Sequence, residues 1–322
     1  MAKEGSNRSI QGVVLCQDFD ILAHFGEGIM RHRPRLELLS PDEVSDPAAI
    51  EFALTFDPAD DAFAPYPNLR FICSISVAAH QLVSCPSLPA DVPITRVVSG
   101  AQEQTMAGFV AWHVLWHHRH FAIYLRQQRE HRWRNLSYRA APEMQVTILG
   151  YGHMGRAVAR VLLPMGYRVA GVRRSHHDTP EAVGVEVMCG QAGLDSLLPR
   201  TDMLINLLPL TPQTQGLLAR PLFERLPEGA MLIHLGRGEQ LIEADLLKAL
   251  DSGHMAGASL DVFAIEPLPT EHPFWDYSNV LVTPHDACRP TPQAVAEHLV
   301  ESWRRIENGE PLEPSVDSQR GY

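Results

Sequence analysis

QVTILGYGHMGRAVARVLLPMG, residues 145–166, decides the fold. Its first five residues form an apolar run of strand length. Three glycines follow, Gly150, Gly152 and Gly155, and then a segment of helical character. A glycine pattern alone says little, but one that leaves a strand and opens a helix is the signature of a dinucleotide site. Gly150 permits the tight turn, Gly152 lets backbone approach a pyrophosphate, and Gly155 allows close helix–strand packing. His153 and Met154 lie between them, where the first amides of the helix face a phosphate. The next apolar run, YRVAGV (167–172), ends in Arg173-Arg174-Ser175. A carboxylate at this place would bind a ribose 2′-hydroxyl; two guanidinium groups and a hydroxyl suit a 2′-phosphate. NADP(H) is therefore favoured, with NAD(H) as the alternative.

Outward from this stretch, the chain reads as two α/β units. DMLINLL (202–208), AMLIHL (230–235), GASLDV (257–262) and NVLVTP (279–284) continue the second series, separated by helical or turn segments such as EADLLKALDSG. Upstream, GVVLC (12–16), IEFALTF (50–56) and LRFICSI (69–75) read as buried strands, and HFGEGIMRHRPRLELL as helix followed by strand. CPSLPADVP reads as a turn-rich stretch and 102–128 as one long helix. Strands alternating with helices imply parallel sheets covered on both faces. The fold class is α/β, with two Rossmann-like or flavodoxin-like domains. The amphipathic segment TPQAVAEHLVESWRRIENGE packs back on the first domain and makes it discontinuous. The domains are expected at 1–98 plus 287–322, a substrate-binding domain, and 99–286, a dinucleotide-binding domain.

Composition bounds the function. The 322 residues are 45% hydrophobic and 20% charged, which suits globular domains. A net charge of −11 argues against nucleic acid or an anionic membrane as partner. No apolar run approaches the roughly 20 residues that span a bilayer. The N-terminus lacks a signal-peptide pattern, and the five cysteines show no CxxC spacing, so a cytoplasmic location with reduced thiols is expected.

Three residues carry the chemistry. Arg237 in HLGRG, Glu266 in DVFAIEPLP and His285 in VTPHDA each follow an apolar run, at the carboxyl ends where ligands bind in open α/β sheets. Singly, each reads as a surface or loop residue. Together, a cation, a carboxylate and an imidazole downstream of a dinucleotide fingerprint point to hydride transfer to a carbonyl, with the cation holding an anionic substrate and the imidazole moving the proton.

The sequence resembles the D-2-hydroxyacid dehydrogenases, and among them the glyoxylate/hydroxypyruvate reductase A type, in GYGHMGRAVA, INLLPLTPQTQGLL, LIHLGRGEQLIEADLLKAL, AGASLDVFAIEPLP and NVLVTPH. The spacings from Arg237 to Glu266 and on to His285, 29 and 19 residues, also fit. The resemblance implies an NADPH-dependent reductase of a small 2-oxoacid such as glyoxylate or hydroxypyruvate, giving the D-2-hydroxyacid. It makes Arg237 the substrate clamp, His285 the general acid, and Glu266 the partner that raises the histidine pKa. It also implies that Leu207, Leu208 and Pro209 flank the cofactor with Leu235 and Gly236, that Asp261 faces the nicotinamide carboxamide, and that the protein is a homodimer through the dinucleotide-binding domain. The family's glycine-rich substrate loop falls on Ser76, Val77 and Ala78, followed by Ala79 and His80. These replace glycine, alanine, glycine, valine and aspartate, and bring Cβ atoms toward the pocket. Gly108 stands where the family often has glutamate, and Asp286, Cys288 and Arg289 replace small residues beside His285. These departures bear on substrate identity, and a bulkier 2-oxoacid is one alternative. A nucleotide-sensing protein of corepressor type is another, supported by the altered loop alone. His113, His117, His118 and His120 lie on one helical stretch, but Trp112 and Trp116 interleave with them. No metal is assigned, and a subunit interface is the preferred reading, with Trp133 near the partner's site.

Overall fold

The computed structural model describes residues 9–17, 20–31, 36–75, 80–175 and 183–316. In chain order the principal elements are β1 (Ile10–Leu15), α1 (Ile21–Met30), β2 (Leu36–Leu39), β3 (Ile50–Thr55), β4 (Phe71–Ser74), α2 (His80–Val83), β5 (Ile94–Arg96), α3 (Gly100–His118), α4 (Phe121–Arg129), β6 (Gln145–Leu149), α5 (His153–Leu162), β7 (Arg168–Arg173), β8 (Val185–Cys189), α6 (Gly190–Leu197), β9 (Met203–Asn206), α7 (Arg220–Phe223), β10 (Ala230–His234), α8 (Glu243–Asp251), β11 (Met255–Leu260), β12 (Val280–Val282) and α9 (Pro292–Asn308). They form two units, Met1–Gln102 with Arg289–Tyr322, and Glu103–Cys288. The sequence reading drew the divisions four residues earlier at the first crossing and two earlier at the second.

The first unit holds a sheet of order β2-β1-β3-β4-β5, with every pairing parallel. Alternate strand residues point to opposite faces. Val14, Phe52, Leu54 and Phe71 meet Phe25 and Ile29 of α1 and Val295, Leu299 and Trp303 of α9 on one face. Val13, Ala53 and Ile72 meet Phe63, Tyr66 and Leu82 on the other. Thus α9 does return to this unit. It begins at a Thr291 N-cap, whose side chain accepts from Ala294 N, with Pro292 in its first turn. It ends at Gly309, whose φ of +68° suits a glycine cap.

The second unit holds the order β12-β11-β10-β9-β6-β7-β8, again all parallel. The chain runs outward from β6 to β8, then crosses to the other side of β6 and runs outward from β9 to β12. The strand order therefore reverses between β6 and β9, the place where nucleotides bind in such sheets. The central strands are buried along their whole length, as their unbroken apolar runs require. The expected long helix over 102–128 is two helices, α3 and α4, broken at Arg119 and His120. The left-handed φ of +56° at His120 ends the α-helical ladder.

Candidate active site

Strand register assembles the site. Val172, Leu149, Asn206, His234, Leu260 and Val282 lie in one row across β7, β6, β9, β10, β11 and β12. The residues that follow each of them, Arg173, Gly150, Leu207, Leu235, Asp261 and Thr283, form the carboxyl edge of the sheet. Candidates spread over 136 positions of sequence thus meet on one edge.

Gly150 has φ +93°, and a Cβ there would sit 2.9 Å from the Leu207 carbonyl group. Its amide donates to Val172 O (3.0 Å), and Leu207 N donates to Leu149 O (2.8 Å), which ties the turn to both neighbouring strands. A Cβ on Gly155 would lie 2.5 Å from Gly150 O, so α5 can approach the turn only with glycine here. Gly152 is different: a Cβ there meets no protein atom within 4 Å. Packing does not require this glycine, whereas a group lying on the turn would. Gly152 is also the N-cap of α5, so no side chain caps the first amides. The edge accordingly fits a dinucleotide pyrophosphate. His153 and Met154 open α5, and His153 Nδ1 lies 3.7 Å from Glu103 Oε1. Arg173 is half-buried at the end of β7, and Arg174 and Ser175 are exposed in the turn beyond. Leu208 and Pro209 are half-buried after β9, and Leu235 and Gly236 are buried after β10.

The chemical trio gathers around the loops after β10, β11 and β12. His285 Nδ1 lies 2.8 Å from Glu266 Oε2, and the other carboxylate oxygen accepts from Phe263 N (2.9 Å). Burial works against ionisation of Glu266. The hydrogen bonds from His285 and the Phe263 amide, with the charges of His285 and Arg237, outweigh it and hold the carboxyl below its usual range. Burial pulls the Arg237 guanidinium down, and the nearby carboxylates Glu266 and Glu239 oppose this. Its Nη1 donates to Gly236 O (2.7 Å). His285 has φ +51°, rare for a residue with a Cβ. Its amide is held by Asp261 O (2.9 Å) and Thr283 O (3.1 Å).

Asp261 has an architectural part that its position in the sequence does not reveal. It is 1% exposed. Oδ1 accepts from Thr283 Oγ1 (2.6 Å) and Asp286 N (2.9 Å), and Oδ2 from Ala287 N (3.0 Å). One carboxylate thus clamps both sides of the His285 turn. Burial raises its pKa against these hydrogen bonds. Sequence reasoning also missed Asn206, His234 and Gln240, buried polar residues beside the same loops. For Asn206 and His234 the sequence signal is a polar residue closing an apolar run, in MLIN and AMLIH; Gln240, in the GEQ turn, carries no such signal.

The remaining candidates separate from the trio. Burial pushes the Cys288 thiol up to about 11, so it is no thiolate nucleophile near neutral pH. His113 Nδ1 and His117 Nε2 each lie 2.8 Å from the hydroxyl of Ser259. His118 pairs with Tyr167 Oη (2.6 Å) and Arg139 O (2.7 Å). Ser76, Val77, Ala78 and Ala79 lie outside the described residues, as does the His80 side chain.

A reversal-point glycine turn and an arginine, glutamate and histidine at the strand ends together define a nucleotide-dependent oxidoreductase. The family model described as D-isomer specific 2-hydroxyacid dehydrogenase, NAD binding domain, matches residues 111–287. A glyoxylate/hydroxypyruvate reductase A from Yersinia enterocolitica is 34% identical over 283 residues, 86% of this chain and 89% of that one. Two solved structures are similar over both units. A D-isomer specific 2-hydroxyacid dehydrogenase from Xanthobacter autotrophicus Py2, in complex with NADPH and MES, is 38% identical over 98% of this chain and 100% of that one, with a TM-score of 0.90. An NADPH-dependent glyoxylate/hydroxypyruvate reductase from Sinorhizobium meliloti, in complex with NADP and sulfate, is 36% identical with the same coverage and a TM-score of 0.91. The chain belongs to the D-isomer specific 2-hydroxyacid dehydrogenase family, and its relatives place it with the glyoxylate/hydroxypyruvate reductase A type.

Proposed function

We propose that the protein reduces a small 2-oxoacid of the glyoxylate or hydroxypyruvate kind to the D-2-hydroxyacid with NADPH. The observation that carries the proposal is the 2.8 Å contact of His285 Nδ1 with Glu266 Oε2, at the sheet edge that also bears Arg237. A carboxylate only accepts, so Nδ1 keeps its hydrogen and Nε2 becomes the nitrogen that exchanges a proton. His285 is then the general acid for the carbonyl oxygen, and Glu266 fixes its tautomer. Arg237, partly desolvated, holds the substrate carboxylate through its planar fork. The bound cofactor supplies the hydride. The turn at Gly150–Gly155 and the first amides of α5 hold its pyrophosphate, Leu207–Pro209 with Leu235 and Gly236 flank it, and Arg173, Arg174 and Ser175 take the 2′-phosphate. NADP(H) bound in the related structures supports the preference over NAD(H).

A homodimer through the dinucleotide-binding unit is part of the proposal. Trp112 and Trp116 have ring centroids 5.2 Å apart, and Trp116 stacks on Phe121 at 6.0 Å. Trp112 is 50% exposed, Phe121 44% and Trp133 98%, an aromatic surface suited to a second copy.

Initial rates of NADPH oxidation with a panel of 2-oxoacids, and chiral separation of the product, test the reaction. His285→Gln and Arg237→Ala are expected to lower kcat/KM by at least about a hundredfold while NADPH still binds. Near-normal turnover in either variant would overturn the assigned roles.

A further inference from the structure

Beneath the loops after β9 and β10 lies a fully buried polar knot of Asn206, His234 and Gln240, each 0% exposed. Gln240 is its centre. Its Oε1 accepts from Arg237 N (2.9 Å) and Asn206 Nδ2 (2.7 Å). Its Nε2 donates to Leu208 O (3.2 Å) and Pro209 O (2.9 Å). The amide orientation is dictated by these partners, because a backbone N–H needs an acceptor and two carbonyls need a donor. Asn206 completes the knot: Oδ1 accepts from Leu208 N (3.3 Å), and Nδ2 also donates to His234 Nδ1 (3.1 Å). Gly236 is fitted to it as well. A Cβ there would overlap Gln240 Oε1 and lie 2.6 Å from Asn206 Nδ2.

One side chain therefore bonds the backbone of Arg237 with its carbonyl and the Leu208–Pro209 backbone with its amino group. We propose that Gln240 is a positioning residue that sets the substrate clamp in register with the cofactor-flanking loop. The proposal rests on the reading of Arg237 as clamp and of 207–209 as cofactor segment. Gln240 is fully buried and bonds two different loops with its two halves, so the halves can be separated by chemistry.

Gln240→Glu keeps an oxygen for Arg237 N and Asn206 Nδ2 but turns a second oxygen toward the Leu208 and Pro209 carbonyls. It is expected to weaken NADPH binding, measured by fluorescence titration, by roughly tenfold to a hundredfold, with the KM for the 2-oxoacid moved less than about threefold. The new carboxyl, buried against two carbonyls, has a raised pKa and can donate when protonated. The defect should therefore deepen from about pH 6 to about pH 8. Gln240→Leu removes both halves, and both constants should rise. Equal changes in the two constants of Gln240→Glu, an unaltered NADPH affinity at the higher pH, or failure of this near-isosteric variant to fold would each overturn the proposal. If the unsubstituted protein binds NADPH but turns over no 2-oxoacid, the parent reading fails instead, and the titration still reports whether Gln240 sets the cofactor loop.

Discussion

At the residue scale, the groups proposed to react were legible in the sequence and their supports were not. Arg237, Glu266 and His285 announce themselves because each is a polar residue set just past an apolar run, at the spacing a resemblance recognises. From its own stretch Asp261 looks like the end of a strand, and the resemblance adds only that it faces the nicotinamide carboxamide. Only the fold shows that it is buried and that three donors from 283–287 converge on it. Sequence distance hides such a role, because the partners lie 22 to 26 residues away. Asp261→Asn replaces one acceptor oxygen by an amino group facing a backbone N–H. A lost buried hydrogen bond with an opposed donor costs roughly 1–3 kcal/mol. We expect a lower melting temperature and a kcat reduced by more than the change in NADPH affinity, since the His285 turn is released while the glycine turn is not. A variant that melts like the parent and keeps its kcat would show that the clamp is dispensable.

At the element scale, the central strands were readable, as were the edge strands β2 and β12, while the edge strands β5 and β8 were not. β6 and β9 are buried along their whole length and β10 at all but Met231, so their sequences are dominated by apolar residues. β8 sits at the edge of its sheet, half-exposed over Val185–Cys189, and β5 has only three residues. A half-exposed edge strand needs no strong apolar pattern, and three residues are too few to show one, which is why neither stood out as a strand. The break between α3 and α4 was equally hidden, because nothing in HHRHFA forbids a helix. The end of β7 is more informative: Arg173 closes the strand, and Arg174 and Ser175 stand exposed beyond it. Arg174→Asp exchanges a cation for an anion at an exposed site, so it tests cofactor choice with little effect on packing. The KM for NADPH should rise roughly tenfold to a hundredfold, as expected for loss of a charge-assisted contact and gain of repulsion, and that for NADH should fall or hold. Unchanged constants for both cofactors would move the 2′-phosphate away from this turn.

At the scale of the whole molecule, buried histidines make the two units unequal in acid. Burial lowers His113 to about 4, His117 to about 3 and His234 to about 3, all in the second unit. In the first unit burial lowers His298 to about 4. Its Nε2 lies 2.9 Å from Thr95 Oγ1, whose own hydrogen goes to Pro314 O (2.9 Å). His113 and His117 share one Ser259 hydroxyl, which can donate to only one of them, and protonating both would set two cations on it. Each of these groups has a folded pKa below the unfolded value of about 6.5. Between the two values the unfolded chain binds more protons, so stability is full above about pH 6.5 and falls as the pH drops toward the folded values. The slope approaches about 1.4 kcal/mol per pH unit for each group. Among the described residues, three such groups against one predict that the second unit loses stability faster than the first. Calorimetry at about pH 7, 6 and 5 should show the melting temperature falling, and hydrogen exchange should show protection lost first along β10, β11 and α3. A melting temperature that stays level over this range, or protection lost evenly in both units, would mean that these histidines are solvated before the fold opens.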